Sequence, residues 1–425
     1  MAHQINPDRE YRLLQERLAL DLNGAPASPV FTKILELLFS PEDAALARRL
    51  PITPLPLSKL SKRFSMSESE LDKKLTELAH KGLVIDLTMG NERHFTLAPV
   101  VIGFFEFTFM RKGEELPWRE LSQLFHEYML VDDKFMRGVF AGKTQMERSL
   151  VHEEALPDEL PPRVEICDWE RASHIVKSAQ KVAVSTCACR HKAHHLGHPC
   201  QHEMDNCLSF DLPAATLLKN GLAREISNEE GLEILMAAKE AGLCQNADNV
   251  QEGVGFICNC CRCCCGFVQA VRKFELRGAI VTSNWVATID ETVCVGCNKC
   301  VKACPVEALE LSEKKARVLD FCLGCGVCHG VCPKNAIILR ARKQRVYTPE
   351  TMFDKLIGQA IERGKLADLL FSDKERWSHR ALGRIAQIIE HAPPTRALLS
   401  IEPLQSIFLK TLVSLAKLGP QPTFE

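Results

Sequence analysis

An excess of charge of either sign is missing from this chain. Its 53 Lys and Arg face 54 Asp and Glu, a formal net charge of −1 over 425 residues. That balance excludes a global attraction to nucleic acid or to an anionic membrane. Long apolar runs are missing too. The nearest candidate, Ala98 to Met110, is too short for a membrane-spanning helix and carries Glu106. The stretch from Met1 to Glu10 is polar and charged, with no apolar signal core and no twin arginine. No Walker A loop occurs, and no Gly-x-Gly-x-x-Gly follows a strand pattern; Gly253-Val254-Gly255 lacks that setting. The expectation is a soluble, cytoplasmic chain that binds neither flavin nor nicotinamide by itself.

Cysteine, by contrast, is abundant, with twenty residues. In a reducing compartment that number argues for metal ligation rather than disulfides. Eight lie between residues 294 and 332, as Cys294-x2-Cys297-x2-Cys300-x3-Cys304-Pro305 and Cys322-x2-Cys325-x2-Cys328-x3-Cys332-Pro333. The two runs are one unit repeated: Gly296 matches Gly324, Ala308 matches Ala336 and Leu311 matches Leu339, each 28 residues on. Each unit reads as a short strand, a cysteine loop, a helical turn and a return strand. Zinc knuckles would want four ligands per site at zinc spacing, often with histidine, and His329 is the only histidine in the region.

Residues 286–342 therefore resemble the bacterial two-cluster ferredoxins. The resemblance implies a ferredoxin-like α+β fold, two [4Fe–4S] clusters and one-electron transfer. It also implies that the fourth cysteine of each run ligates the other cluster. One ligand set is then Cys294, Cys297, Cys300 and Cys332, and the other is Cys322, Cys325, Cys328 and Cys304. Exposed clusters are sensitive to oxygen, which points to an anaerobic setting.

A second cysteine region precedes this one. Cys258-Asn259-Cys260-Cys261-Arg262-Cys263-Cys264-Cys265 places six cysteines in eight residues. Within it Cys258, Cys261 and Cys264 repeat the x2 spacing and are the favoured ligand triplet, with a distant fourth. Upstream, Cys187, Cys189, Cys200 and Cys207 follow an apolar strand pattern at Val182–Thr186. These four form their own site or complete the one at 258–265. Ten cysteines suffice for two clusters with two left over, or for one cluster of higher nuclearity; structural zinc is the competing use. His191, His194, His195, His198 and His202 read as a solvated loop rather than as ligands. Cys167 and Cys244 are isolated and read as packing residues. Ser227 with Glu230 makes a capping box that opens a helix ending at Gly242.

Residues 29–112 resemble a winged helix in the order and length of their elements. Helical patterns at Val30–Phe39, after Pro41, at Leu57–Phe64 and from Ser67 to Gly82 precede a hairpin turning at Met89-Gly90-Asn91. The candidate recognition helix mixes Glu68, Glu70, Asp72 and Glu77 with Lys73, Lys74 and Lys81, which counts against DNA as a partner. A docking module is the favoured reading. The apolar stretch from Pro99 to Phe105 must bury against this chain's own core or against a partner.

The expected class is a multidomain α+β protein. It comprises a winged-helix-like domain (1–112), a helical linker (113–165), a cysteine-rich middle α/β domain (166–285), a two-cluster ferredoxin domain (286–345) and a helical C-terminal region (346–425). Arg340 to Arg345 is a basic run, and Leu404, Ile407, Phe408, Leu412 and Leu415 form an apolar stripe. The expected function is electron transfer through two [4Fe–4S] clusters and one or two further middle-domain clusters, for a redox partner protein or larger oxidoreductase complex. A redox-sensing DNA-binding regulator is the second reading, and a cluster-transfer scaffold the third. No catalytic residue and no oligomeric state is read from the sequence.

Overall fold

A computed structural model describes residues 5–113, 116–140, 142–162, 164–371 and 383–384. The apolar stripe at 404–415 lies outside them. The chain divides into two compact units, one drawn from 1–105, 141–144 and 356–425, the other from 106–140 and 145–355. Among the described residues no helix is long and apolar enough to cross a membrane.

In the first unit, three of the early helices start where a serine side chain accepts from an orphan N–H group. Ser28, Ser40 and Ser67 cap Pro29–Leu38, Pro41–Ala47 and Glu68–His80, the second through a full capping box with Asp43. Strands Leu55–Pro56, Glu92–Leu97 and Val84–Met89 form an antiparallel sheet with Glu92–Leu97 in the middle. Arg93 on that strand pairs with Asp72 and Asp86 and donates to Thr76 Oγ1 at 2.9 Å. Its charge is thus satisfied between sheet and helix. The apolar stretch after the hairpin buries in this unit's own core, where Phe104 packs on Phe31 and Phe39 at ring-centroid distances of 6.3 and 6.4 Å.

The second unit is built on a seven-stranded sheet in the order Ile280–Val281, Glu147–Ser149, Cys244–Asp248, Phe256–Cys260, Asp205–Phe210, Val182–Thr186, Arg224–Ile226. Every pairing is antiparallel except the first. This corrects the expectation of an α/β middle domain: crossover helices between parallel strands are not how the sheet is connected. Strand Glu147–Ser149 comes from the segment expected as a helical linker, and it joins the sheet because its register with Asn246–Asp248 buries it completely.

Strand alternation gives this sheet two chemically distinct faces. Val182, Val184, Leu208, Phe210, Ala247 and Ile257 form an apolar core with Val176 and Leu235 of the covering helices. The opposite face carries Cys207, Cys244, Cys258 and Cys260. Cys244 lies directly across from Cys260, and Asn246 across from Cys258. The helix Asn228–Glu240 begins where Ser227 Oγ accepts from the Glu230 N–H at 3.2 Å, and Gly242 follows it at φ +73°. The expected histidine-rich loop is in part a helix, Ala188–His195. His195 stacks on Trp118 at 5.5 Å, and His191 Nδ1 donates to the Phe109 carbonyl at 2.7 Å.

The cysteine repeat folds as two interleaved halves. Trp285–Ile289 pairs antiparallel with Ile337–Ala341, and Leu309–Ser312 with Lys315–Val318; helices Lys299–Ala303 and Val327–Gly330 follow the cysteine loops. Gly296 and Gly324 sit at φ +67° and +72°, and a Cβ at either would lie 2.1 Å from a backbone carbonyl oxygen, that of Lys314 or Trp285. Side chains are excluded there by backbone conformation and by contact. Gly324→Ala is therefore expected to destabilise the second unit by about 2 kcal/mol or more, the left-handed strain alone costing about 1–2 kcal/mol. A lower thermal midpoint and reduced iron retention would be measured, and an unchanged midpoint would contradict the reading.

Candidate metal centres

The repeat forms two hollows. One is lined by Cys294, Cys297, Cys300 and Cys332. The other is lined by Cys304, Cys322, Cys325 and Cys328. Each brings together three thiols of one run and the fourth of the other. The crossing arises because Cys304 and Cys332 follow the two short helices, which carry them across to the loop of the other half. Backbone groups already point at these sulfurs: Ala308 N–H donates to Cys304 Sγ at 3.2 Å, and Ala336 N–H to Cys332 Sγ at 3.3 Å. Four convergent soft donors with N–H groups at sulfur fit a [4Fe–4S] cluster in each cavity, the N–H groups tuning its potential. His329 is not among the convergent donors; its Nδ1 donates to the Ile337 carbonyl at 2.6 Å.

The two cavities differ in exposure. Cys297 is exposed and Cys294 and Cys332 are half-buried, whereas Cys304, Cys322, Cys325 and Cys328 are all buried. Beside the first, Val293 and Val295 are 40% and 58% exposed. Burial pushes the Cys304 thiol up to about 12. A buried thiol gives up its proton only to a strong Lewis acid, so metal loading and deprotonation go together.

Cys244, expected to serve packing alone, is buried, and its thiol donates to Asn246 Oδ1 at 3.4 Å. Its nearness to Cys325 pushes the Cys244 thiol well above the ordinary range and holds Cys325 below it.

In the middle domain the Sγ atoms of Cys200, Cys261, Cys263 and Cys264 lie within 4.8 Å of one another. The favoured x2 triplet is thus divided: Cys261 and Cys264 join this group, while Cys258 faces Cys207 on the sheet. The physical reason is that Cys258 and Cys260 belong to a strand, whose alternation sets their direction, whereas 261–265 turn away from it. Cys187, Cys189 and Cys207 also lie on the sheet side. Cys187 follows the strand Val182–Thr186, and Cys207 pairs with Ser185 in the neighbouring strand. Spacing alone misses Cys260, Cys263 and Cys265. The period of two in Cys258-Asn259-Cys260 is the available signal for the first.

Buried cations stand beside this sulfur. The Arg190 side chain is fully buried and donates to the Glu203 and Asn259 carbonyls at 2.6 and 2.7 Å. It also lies in the electrostatic reach of Cys187, Cys261 and Cys207. Lys192, also buried, faces Cys189, Cys264 and Cys265. Arg262, inside the cysteine loop, donates to the Lys302 carbonyl at 2.6 Å and pairs with Glu307 at 2.5 Å. In the basic run, Arg342 is structural, donating to the Ser283 and Cys322 carbonyls at 2.9 and 2.6 Å.

Comparison with known proteins agrees with this geometry. Residues 287–339 match the 4Fe-4S dicluster domain family. They form an iron–sulfur dicluster module of the electron-transfer kind. Over 42 residues the chain is 43% identical to a subunit of the ion-translocating oxidoreductase complex of Alkalilimnicola ehrlichii, a match that covers 10% of this chain and 23% of that protein. The chain thus spans about a quarter of the length of that curated relative. No solved structure matches the chain.

Proposed function

We propose that this protein carries single electrons from the exposed dicluster site to the buried one and on to a third iron–sulfur centre at Cys200, Cys261, Cys263 and Cys264. It does so as a subunit of, or donor to, an oxidoreductase. The observation that carries the reading is the seat of the cysteine loop on the dicluster module. Arg262, between Cys261 and Cys263, is fastened to the Lys302 carbonyl, and Lys302 lies between the cluster cysteines Cys300 and Cys304. Loading of the clusters supplies one-electron chemistry; the protein's own residues hold the thiols, shield the inner site and set its potential. The exposed valines beside Cys297 give a small apolar contact for a redox partner. The relative's role as a subunit of an ion-translocating oxidoreductase complex favours a complex of that general kind.

The first unit serves as a docking module in this reading. Its three-stranded sheet after a helical run suits a winged helix, but the exposed side chains of Glu68–His80 include Glu68, Glu70, Lys73, Lys74 and Glu77, a mixed field that gives phosphate little attraction. A mobility-shift assay with holoprotein is expected to find no salt-sensitive DNA complex.

The test is anaerobic purification with iron and sulfide quantified and EPR after dithionite. Wild type should hold at least about twelve irons, eight of them in the dicluster module. A Cys200→Ser, Cys261→Ser, Cys264→Ser variant should lose about four of these while keeping both dicluster signals. A variant that keeps all its iron would remove the third centre from the relay.

A further inference from the structure

Two of the five histidines expected as a solvated loop are held in fixed positions. His191 and His195 lie four residues apart on helix Ala188–His195, so one face of that helix presents both rings. Their Nε2 atoms are 3.0 Å apart. The ring planes are inclined to each other at 51°, so the contact is nitrogen to nitrogen rather than face to face.

Each ring is also held from outside the pair. His191 Nδ1 donates to the Phe109 carbonyl at 2.7 Å. A carbonyl only accepts, so the neutral His191 ring keeps its proton on Nδ1 and leaves a free lone pair on Nε2. His195 lies flat against Trp118, with centroids 5.5 Å apart and an interplanar angle of 12°. Trp118 opens helix Trp118–His126 and meets the His191 ring as well, at 5.0 Å. Both histidines are only half-buried, so the paired nitrogens are fixed by the protein while the rings still reach solvent. Packing beside an indole does not require two histidines to aim Nε2 at Nε2. In the empty pair a proton fills the gap, His195 Nε2 donating to His191 Nε2.

The same geometry has the parts of a metal chelate. Histidines at i and i+4 on one helix face are a recurrent pair of metal ligands. A ligating histidine donates its other ring N–H to a carbonyl or carboxylate, which fixes tautomer and orientation, and Phe109 supplies such a carbonyl to His191. With metal–nitrogen bonds of about 2.0–2.1 Å, two donors 3.0 Å apart subtend close to a right angle at the ion. That angle suits tetragonal coordination better than tetrahedral. Among the described residues no third histidine, cysteine or carboxylate converges with the pair, which leaves the other positions to water. Lys112, a cation in the electrostatic reach of His191, is itself paired with Asp205 at 2.7 Å, so it sets no unpaired positive charge against a bound ion.

We infer that His191 and His195 form a bidentate site for one divalent transition-metal ion of the imidazole-preferring, tetragonal class, of which nickel(II) is the representative. No proton is lost on binding. His195 moves its proton from Nε2 to Nδ1, His191 keeps its own on the Phe109 carbonyl, and both rings ligate as neutral imidazoles. The site uses no thiol, so it stands apart from the clusters and from the relay proposed above.

The experiment uses untagged holoprotein, purified anaerobically and dialysed against nickel(II), beside a His195→Asn variant. Wild type should take up about one nickel per chain more than the variant, with equal iron content and equal dicluster EPR signals in the two. Nickel-edge X-ray absorption of wild type, at less nickel than protein, should show nitrogen and oxygen neighbours with the scattering pattern of imidazole. Equal nickel uptake by the two proteins would overturn the inference. Sulfur neighbours around nickel in wild type would overturn it too, because thiols elsewhere in the unit would then be the ligands. Where the variant loses its dicluster signals, the wild-type absorption spectrum decides by the same criterion. Failure of the third relay centre in the iron test would leave this site standing, since the two share no residue.

Discussion

Cys332→Ala is expected to empty the exposed dicluster site and leave the buried one intact, although Cys332 belongs to the run that supplies the buried site's other three ligands. The cavity lined by Cys294, Cys297 and Cys300 includes Cys332, and the cavity lined by Cys322, Cys325 and Cys328 includes Cys304. A three-thiol loop cannot surround a cubane, so the fourth ligand is decisive for retention. Loss of about four irons should follow, with one of two EPR signals removed. The pairing of variants makes the test sharp. Cys332→Ala and Cys297→Ala should remove the same signal, and Cys304→Ala and Cys325→Ala the other. If Cys332→Ala matched Cys325→Ala instead, the crossed arrangement would be wrong.

The second large effect concerns the strand that carries Cys244. At its end Asp248 pairs with Lys355, and the two side chains are 2% and 5% exposed. Lys355→Met removes the ion-pair partner of a buried carboxylate, which typically costs about 3–5 kcal/mol. The thermal midpoint of the holoprotein should fall by on the order of 10 °C. Asp248→Asn with Lys355→Met removes both charges and should recover a good part of that loss. A single variant as stable as wild type would mean the pair is solvated in solution. Because the same strand positions Cys244 against Cys325, the single variant should also broaden the EPR signal of the buried cluster.

Some of this molecule can be read along one dimension. The x2 spacing of Cys294–Cys300 and Cys322–Cys328 is local, because a tight loop alone sets the direction of three thiols. The repeat of Gly296 at Gly324 is local in the same way, each needing a positive φ and room for a neighbouring carbonyl. Ser227 with Glu230 and the strand at Val182–Thr186 are set by capping and by alternation. None of these depends on a distant residue.

The middle domain is harder for the opposite reason. Its sulfurs sit on strands of a mostly antiparallel sheet, at a helix start and in the adjoining turns, and sequence spacing carries no information about which strands are neighbours. The x2 spacing joins Cys258 to Cys261 and Cys264, yet the end of the strand turns the last two away. Cys244 looks solitary in the sequence because its partners, Cys260 and Cys325, are 16 and 81 residues distant.

What the sequence determined by itself was the dicluster module, since each of its cysteine loops encodes its own geometry and the repeat encodes the second copy. What only the tertiary structure decided was which of the ten further cysteines gather in a group of four and which lie on and beside the sheet, the buried cations near them, and the nearness of Cys244 to Cys325. Those arrangements rest on strand register and burial, which are properties of the packed sheet and of no single segment.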